Sequence, residues 1–245
     1  MSSPESHASS NRYLFLADAV AWRYRTHGFA LRRQVRAQLL RDPFYRLLIS
    51  SDWLPAEGRV LDLGCGQGVF LALVASAKAM GMAGSGKRGS PCGLTGIESS
   101  PCQAECARQA LAGLAEIITG DVRDITLPSC QTALLQEVLL YLAPEEQDSL
   151  LNRLVAALAP GGIIILREPD AGNFGRRVLT RLAATAVIPF RGERKKQPFP
   201  RSAEEWAKHL QSLGLKVKIQ PIEGGLWLSK ALILARKPGP EMKRP

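Results

Sequence analysis

The stretch Val60-Leu61-Asp62-Leu63-Gly64-Cys65-Gly66-Gln67-Gly68 constrains this chain more than any other. A short apolar run from Arg59 to Leu63 ends in glycines at every second position, the mark of a buried strand feeding a tight turn. Without Cβ atoms the turn lets the backbone come close to a ligand, and a helix starting near Gln67 aims its free amides at the same place. The glycine offsets differ from those of the dinucleotide fingerprint, and Asp-x-Gly-x-Gly-x-Gly after a hydrophobic strand is the more selective pattern.

Downstream the hydrophobic period alternates. A helix is expected over Val69–Met80, then a small-residue loop from Gly81 to Cys92, strand Leu94–Ile97, helix Gln103–Ala112 and strands Glu116–Thr119 and Thr132–Gln136. Helix Glu145–Leu158 leads through Pro160-Gly161-Gly162 to strand Ile163–Leu166. Residues 171–201 interrupt the rhythm with a basic amphipathic stretch, the expected lid insertion. Ser202–Leu213 reads as a capped helix, and strands Lys216–Gln220 and Leu226–Ala235 form a hairpin around Glu223-Gly224-Gly225. Strands alternating with helices predict an α/β fold with a mostly parallel sheet covered on both faces, closed by an antiparallel terminal hairpin. Residues 1–11 read as a disordered tail, 12–54 as a helical cap divided at Gly28 and at Asp42-Pro43, and 55–245 as the main domain.

The glycine turn and its surroundings resemble the class I methyltransferases that use S-adenosylmethionine, over roughly residues 55–170. That resemblance implies a Rossmann-like, seven-stranded sheet. It also implies that Gly64, Cys65, Gly66 and Gly68 hold the methionine part of the cofactor and that Asp62 fixes its amino group. Glu98 closes Leu94-Thr95-Gly96-Ile97-Glu98, where the family takes both ribose hydroxyls with one carboxylate. In Thr119-Gly120-Asp121-Val122, Asp121 and Val122 match the acid and apolar neighbour near the adenine. Gln136 lies at the end of the fourth strand, beside the transferable methyl. The fourth-strand stretch Ala133–Leu142 departs from many relatives, with Leu140 where they have His and Gln131 where they have an acid. The Asn/Asp-Pro-Pro-aromatic signature of enzymes that methylate nucleobase amino groups is missing there.

Acceptor-side candidates follow from the topology, since ligands bind beyond the carboxyl ends of parallel strands. Tyr141 follows the fourth strand, Arg167 offers a guanidinium for an acceptor carboxylate or phosphate, and Glu168 or Asp170 can take a proton. His27 sits where the cap helices join. The run from Arg167 to Gly192 is similar to methyltransferases of bacterial aryl-polyene pigment clusters. Gly81–Arg88 only imitates a phosphate loop, because Arg88 stands where Ser or Thr is required. The cysteines lack the paired spacing of a metal site, so no metal is expected.

Composition sets the remaining bounds. In 245 residues the hydrophobic fraction is 46% and the net charge +10. No run approaches the ~20 apolar residues of a membrane span, no secretory leader is visible, and five unpaired-looking cysteines suit a cytoplasmic protein. The positive charge is concentrated: residues 12–46 carry eight arginines against two aspartates, and 171–201 carry eight Lys/Arg against Glu193. Such a rim suits an acidic acyl carrier protein, an anionic lipid surface touched by Arg176–Phe190, or RNA. The expected function is methyl transfer from S-adenosylmethionine to a small aromatic or carrier-bound acyl acceptor. The alternatives are an RNA methyltransferase and a non-catalytic, cofactor-binding partner subunit.

Overall fold

A computed structural model describes residues 4–82, 92–172, 198–221 and 230–239. Most of the small-residue loop, most of the basic lid and the Glu223-Gly224-Gly225 turn lie outside the described residues, as does Arg176–Phe190.

Three helices lead: α1 (Pro4–Trp22), α2 (Phe29–Arg41) and α3 (Pro43–Ser50), with a 3-10 turn over Arg25–His27. Helix α1 begins at Pro4, within the stretch expected to be a tail. Residues 4–11 have no apolar stripe to announce a helix, but proline is well suited to a first helical turn. The Asp42-Pro43 break behaves as read, with Asp42 accepting a hydrogen bond from the Phe44 amide at 3.1 Å and Pro43 opening α3.

The alternating section follows as β1 (Gly58–Leu63), α4 (Val69–Ala79), β2 (Cys92–Glu98), α5 (Pro101–Ala110), β3 (Glu116–Thr119) and β4 (Cys130–Gln136). Then come α6 (Pro144–Ala157), β5 (Leu158–Pro169), α7 (Ala203–Ser212), β6 (Lys216–Pro221) and β7 (Lys230–Arg236). They form one seven-stranded sheet in the order β3-β2-β1-β4-β5-β7-β6. β1 through β5 are parallel, and β7 runs antiparallel between β5 and β6. The order reverses between β1 and β4, which makes a crevice at their carboxyl ends.

Strand alternation feeds two cores. Val60, Leu134, Ile163 and Ile165 face α4, α5 and the cap, whereas Leu61, Ala133, Leu135, Ile164 and Leu166 face α6 and α7. The cap is held by directed contacts as well: Tyr24 Oη donates to the Gln67 carbonyl at 2.9 Å and Tyr13 Oη to the Leu39 carbonyl at 2.9 Å. The fourth strand ends at the expected residue and starts two residues earlier, at Cys130. It stops at Gln136, because Glu137 takes φ +56° and turns the chain into a 3-10 turn over Leu139–Tyr141. β5 is longer than expected, since Pro160-Gly161-Gly162 is absorbed into it.

Candidate active site

The strand-to-helix turn after β1 uses its glycines in different ways. Gly64, Gly66 and Gly68 have φ of +71°, +55° and +77°, all in the left-handed region. A Cβ on Gly64 would lie 2.5 Å from Val138 Cγ2, while one on Gly68 would lie 2.7 Å from Leu111 Cδ1. Gly64 thus keeps the turn close to the loop after β4. Gly68 lets α4 start against α5 and does not face the crevice.

Beyond the strand tips is a cleft lined by Gly64, Gly66, Glu98, Asp121, Val122 and Gln136. Glu137, Val138 and Tyr141 belong to its wall as well, with Ser99, Gln103 and Leu142. Glu98 at the end of β2 is buried and accepts the Gly66 N–H on Oε2 and the Ser100 N–H on Oε1, both at 2.8 Å. Its carboxylate thereby ties the glycine turn to the start of α5. Asp121 accepts the Arg123 backbone N–H at 3.0 Å and an Arg123 guanidinium N–H at 2.5 Å, and Arg123 also reaches Glu146 at 2.8 Å. Two carboxylates, a run of small backbone and an apolar Val122 are thus brought to one place.

A family model described as a methyltransferase domain matches residues 29–218. The chain belongs to that family. Carboxy-S-adenosyl-L-methionine synthase of Salmonella arizonae is 29% identical over 126 residues, covering 49% of this chain and 47% of that protein. The chain spans about half the length of the curated relatives it matches. Among solved structures, an O-methyltransferase family protein from Burkholderia thailandensis superposes with a TM-score of 0.62 at 16% identity, over 89% of this chain and 63% of that one. Magnesium protoporphyrin IX methyltransferase from Synechocystis, which carries bound SAH, gives 0.59 at 18% identity, over 89% and 93%. At such identities these two likenesses concern the fold.

Within this methyltransferase domain, the other sequence candidates sort by position. Asp62 is buried behind the glycine turn and is not on the cleft wall; burial, aided by the Glu98 charge, pushes its carboxyl up to about 8. Cys65 also lies behind the wall. Its Sγ approaches Gly96, where an added Cβ would sit 2.7 Å away, and burial raises the thiol. Tyr141 does face the cleft. His27 belongs to the 3-10 turn of the cap, its ring 6.4 Å from that of Tyr24, and is not part of the lining.

Arg167 is buried, contrary to an open acceptor-binding role. It donates to Asp42 at 2.6 Å and lies 4.7 Å above the Phe44 ring, joining β5 to the cap. Asp170 accepts the Gly172 and Ala203 amides at 3.1 and 3.2 Å, so it braces the start of α7. Glu168 is buried and its Oε1 accepts the Val138 and Leu139 amides at 2.8 and 2.9 Å. Desolvation pushes its carboxyl up to about 8, against the lowering effect of those two amides. Held this way, Glu168 shapes the loop after β4 and does not reach the cleft.

Gln131 sits at the amino end of β4, away from the cleft, and its Oε1 accepts the Arg59 amide at 2.6 Å. Its replacement of an acid therefore leaves the cleft untouched. Leu140 is buried, and its carbonyl accepts the Phe199 amide at 2.7 Å. Among the lining residues that sequence reading passed over, Ser99, Gln103, Glu137, Val138 and Leu142, the charged one is Glu137. It lines the cleft, is the one non-glycine residue with positive φ among those described, and forms an ion pair with Lys230 at the start of β7. The only sequence signal for it is an acid directly after Gln136. Among the described residues no group of three His, Cys, Asp or Glu side chains is placed to hold a metal, and no helix is long and apolar enough to cross a membrane.

Proposed function

We propose that this chain transfers a methyl group from S-adenosylmethionine to a small-molecule acceptor, of aromatic or acyl type. The reading rests on one observation: Gly64, Gly66, Glu98, Asp121 and Val122 share a single cleft at the reversal point of the sheet. The cleft fits a nucleoside cofactor in its donor set. Bare backbone at Gly64 and Gly66 keeps Val138 and Gln103 where they are on the wall, and Glu98 Oε2 keeps a lone pair for a ribose hydroxyl beyond the Gly66 amide, while Oε1 already takes the Ser100 amide and the Ser99 hydroxyl. Asp121 and Val122 flank the position for the base. Asp62 is buried behind the turn and is not on the cleft wall, so direct contact with the cofactor is not proposed for it.

When bound, the cofactor supplies an electrophilic methyl on a sulfonium. The protein's part is positioning and exclusion of water. Gln136, Val138 and Tyr141 wall the side next to the fourth strand, where the acceptor is placed. Glu137 is the group best sited to accept an acceptor proton, its carboxylate being held in place by the ion pair with Lys230. One structural neighbour, magnesium protoporphyrin IX methyltransferase, is named for a small-molecule acceptor. Cys65, Cys102, Cys106 and Cys130 are free thiols, which suits a reducing cytoplasm.

Calorimetry with S-adenosylmethionine tests the first half. Binding is expected, and Glu98→Ala should weaken it by about 1–3 kcal/mol, the range for a lost hydrogen bond to a charged group. No binding, or equal binding by the variant, overturns the site. Release of the demethylated cofactor is then assayed with phenols, carboxylic acids, carrier-bound acyl chains and RNA. Product masses would also register a change made to the cofactor itself. Turnover with RNA alone would overturn the choice of acceptor.

A further inference from the structure

Away from the cleft, the apolar surface is concentrated on the cap. Of the six large apolar side chains exposed among the described residues, Leu14, Phe15, Trp22 and Phe29 lie on α1 or at the start of α2, the last three being 71%, 53% and 76% exposed. Phe15 and Trp22 are two helical turns apart and share one side of α1; Phe29 and Arg32, three residues apart, share one side of α2. The two sides meet. The Arg32 guanidinium lies 4.7 Å from the Trp22 ring centroid, and Arg36 donates to Asp18 at 2.5 Å. Arg25 approaches the same indole at 5.6 Å. The pair of helices therefore presents a continuous face on which aromatic rings alternate with guanidinium groups. Beside Phe29, Arg33 and Arg41 wall a shallow groove.

We infer that this face docks on an anionic lipid surface. Phe15, Trp22 and Phe29 enter the boundary between headgroups and acyl chains, while Arg25, Arg32 and Arg33 meet lipid phosphates. Charge chooses this occupant: the acids at this face, Asp18 and, at the end of the groove, Asp42, are already paired with Arg36 and Arg167. A second copy of the chain would bring like charges together. A nucleic-acid strand would meet the same positive charge, but it has no apolar phase to take up the exposed Leu14, Phe15 and Phe29 side chains. The methyltransferase-domain match starts at residue 29, so Phe15 and Trp22 precede the part shared with the family.

The test is flotation of the full chain with vesicles of phosphatidylcholine alone and of phosphatidylcholine mixed equally with phosphatidylglycerol. Binding is expected to the mixed vesicles only and should fall as salt rises. Arg25→Glu combined with Arg33→Glu should lower the partition coefficient by roughly tenfold or more, given the usual contribution of basic residues at a charged membrane. Phe15→Ser with Phe29→Ser should reduce it comparably. These side chains are exposed, and circular dichroism with S-adenosylmethionine affinity checks that both variants remain folded. Should either fail to fold, the lipid and salt dependence of the unaltered chain still decides. Binding to neither vesicle, equal binding to both, or full retention by the folded variants overturns the proposal. So does loss of an oligonucleotide or an acidic carrier protein by the same variants while vesicles are ignored.

Discussion

Gly64 shows how much can depend on a missing methyl group. Its φ of +71° is open to glycine at little cost, and a Cβ there would press on Val138 from 2.5 Å. Gly64→Ala should therefore destabilise the fold by about 1–2 kcal/mol from backbone conformation alone, and it should also weaken cofactor binding as Val138 is pushed into the cleft. Thermal unfolding and calorimetry check the two effects separately. Glu168 illustrates the opposite case, a charged residue type retained in a dry place. Its Oε1 accepts two amides, which favour the carboxylate, but burial of the whole group, with Oε2 lacking a hydrogen-bond partner, outweighs them and favours the protonated acid. With the folded carboxyl near 8 and an ordinary value of 4.5, its contribution to stability is complete below about 4.5 and is lost as pH rises through 8. The urea midpoint of the protein should accordingly fall across that window. Glu168→Gln should flatten the fall, leaving the part that belongs to Asp62, whose carboxyl is also near 8.

At the scale of elements, the join between cap and sheet depends on Arg167. The Arg167–Asp42 contact at 2.6 Å connects β5 to the start of α3, and Phe44 of the same helix lies under the guanidinium. If this is a strut, Arg167→Ala and Asp42→Ala should each lower thermal stability, and the double variant should show a coupling of about 1–3 kcal/mol. Cofactor affinity should stay unchanged. Additive losses would remove the strut. This pairing also marks the limit of what the sequence discloses. β3 was legible to the residue, and the Ser202 cap of α7 was legible with its Glu205 partner, because both follow from neighbours a few positions apart. Arg167 and Asp42 are 125 positions apart, and no local pattern couples them. The same reason hid Glu137, whose partner Lys230 is 93 positions away and whose backbone turn has no glycine to announce it.

For the whole molecule, the glycine turn, Glu98 and Asp121 could be read as one constellation because the order of strands in an alternating chain fixes where their tips meet. Which of the matched positions face the cleft could not be read. Asp62, Cys65 and Gly68 lie behind it, Asp62 and Cys65 buried under the turn and Gly68 packed against Leu111 and Ala107 of the α5 region, contacts that no local pattern announces. The sheet also depends on its last strand. β7 fills the gap between β5 and β6 and covers both of their edges. A chain ended before Lys230 should leave those edges open to other chains. Size-exclusion chromatography should show it aggregated, and a soluble, cofactor-binding monomer would contradict the arrangement.

That late insertion has a consequence for biosynthesis. During translation β5 and β6 emerge first, and the slot between them stays empty until the ribosome has delivered residues 230–236. Lys230 arrives at the same moment to meet Glu137. A nascent polypeptide therefore has to wait for residues 230–236 before its sheet can close and Glu137, on the wall of the cleft, can meet its cationic partner.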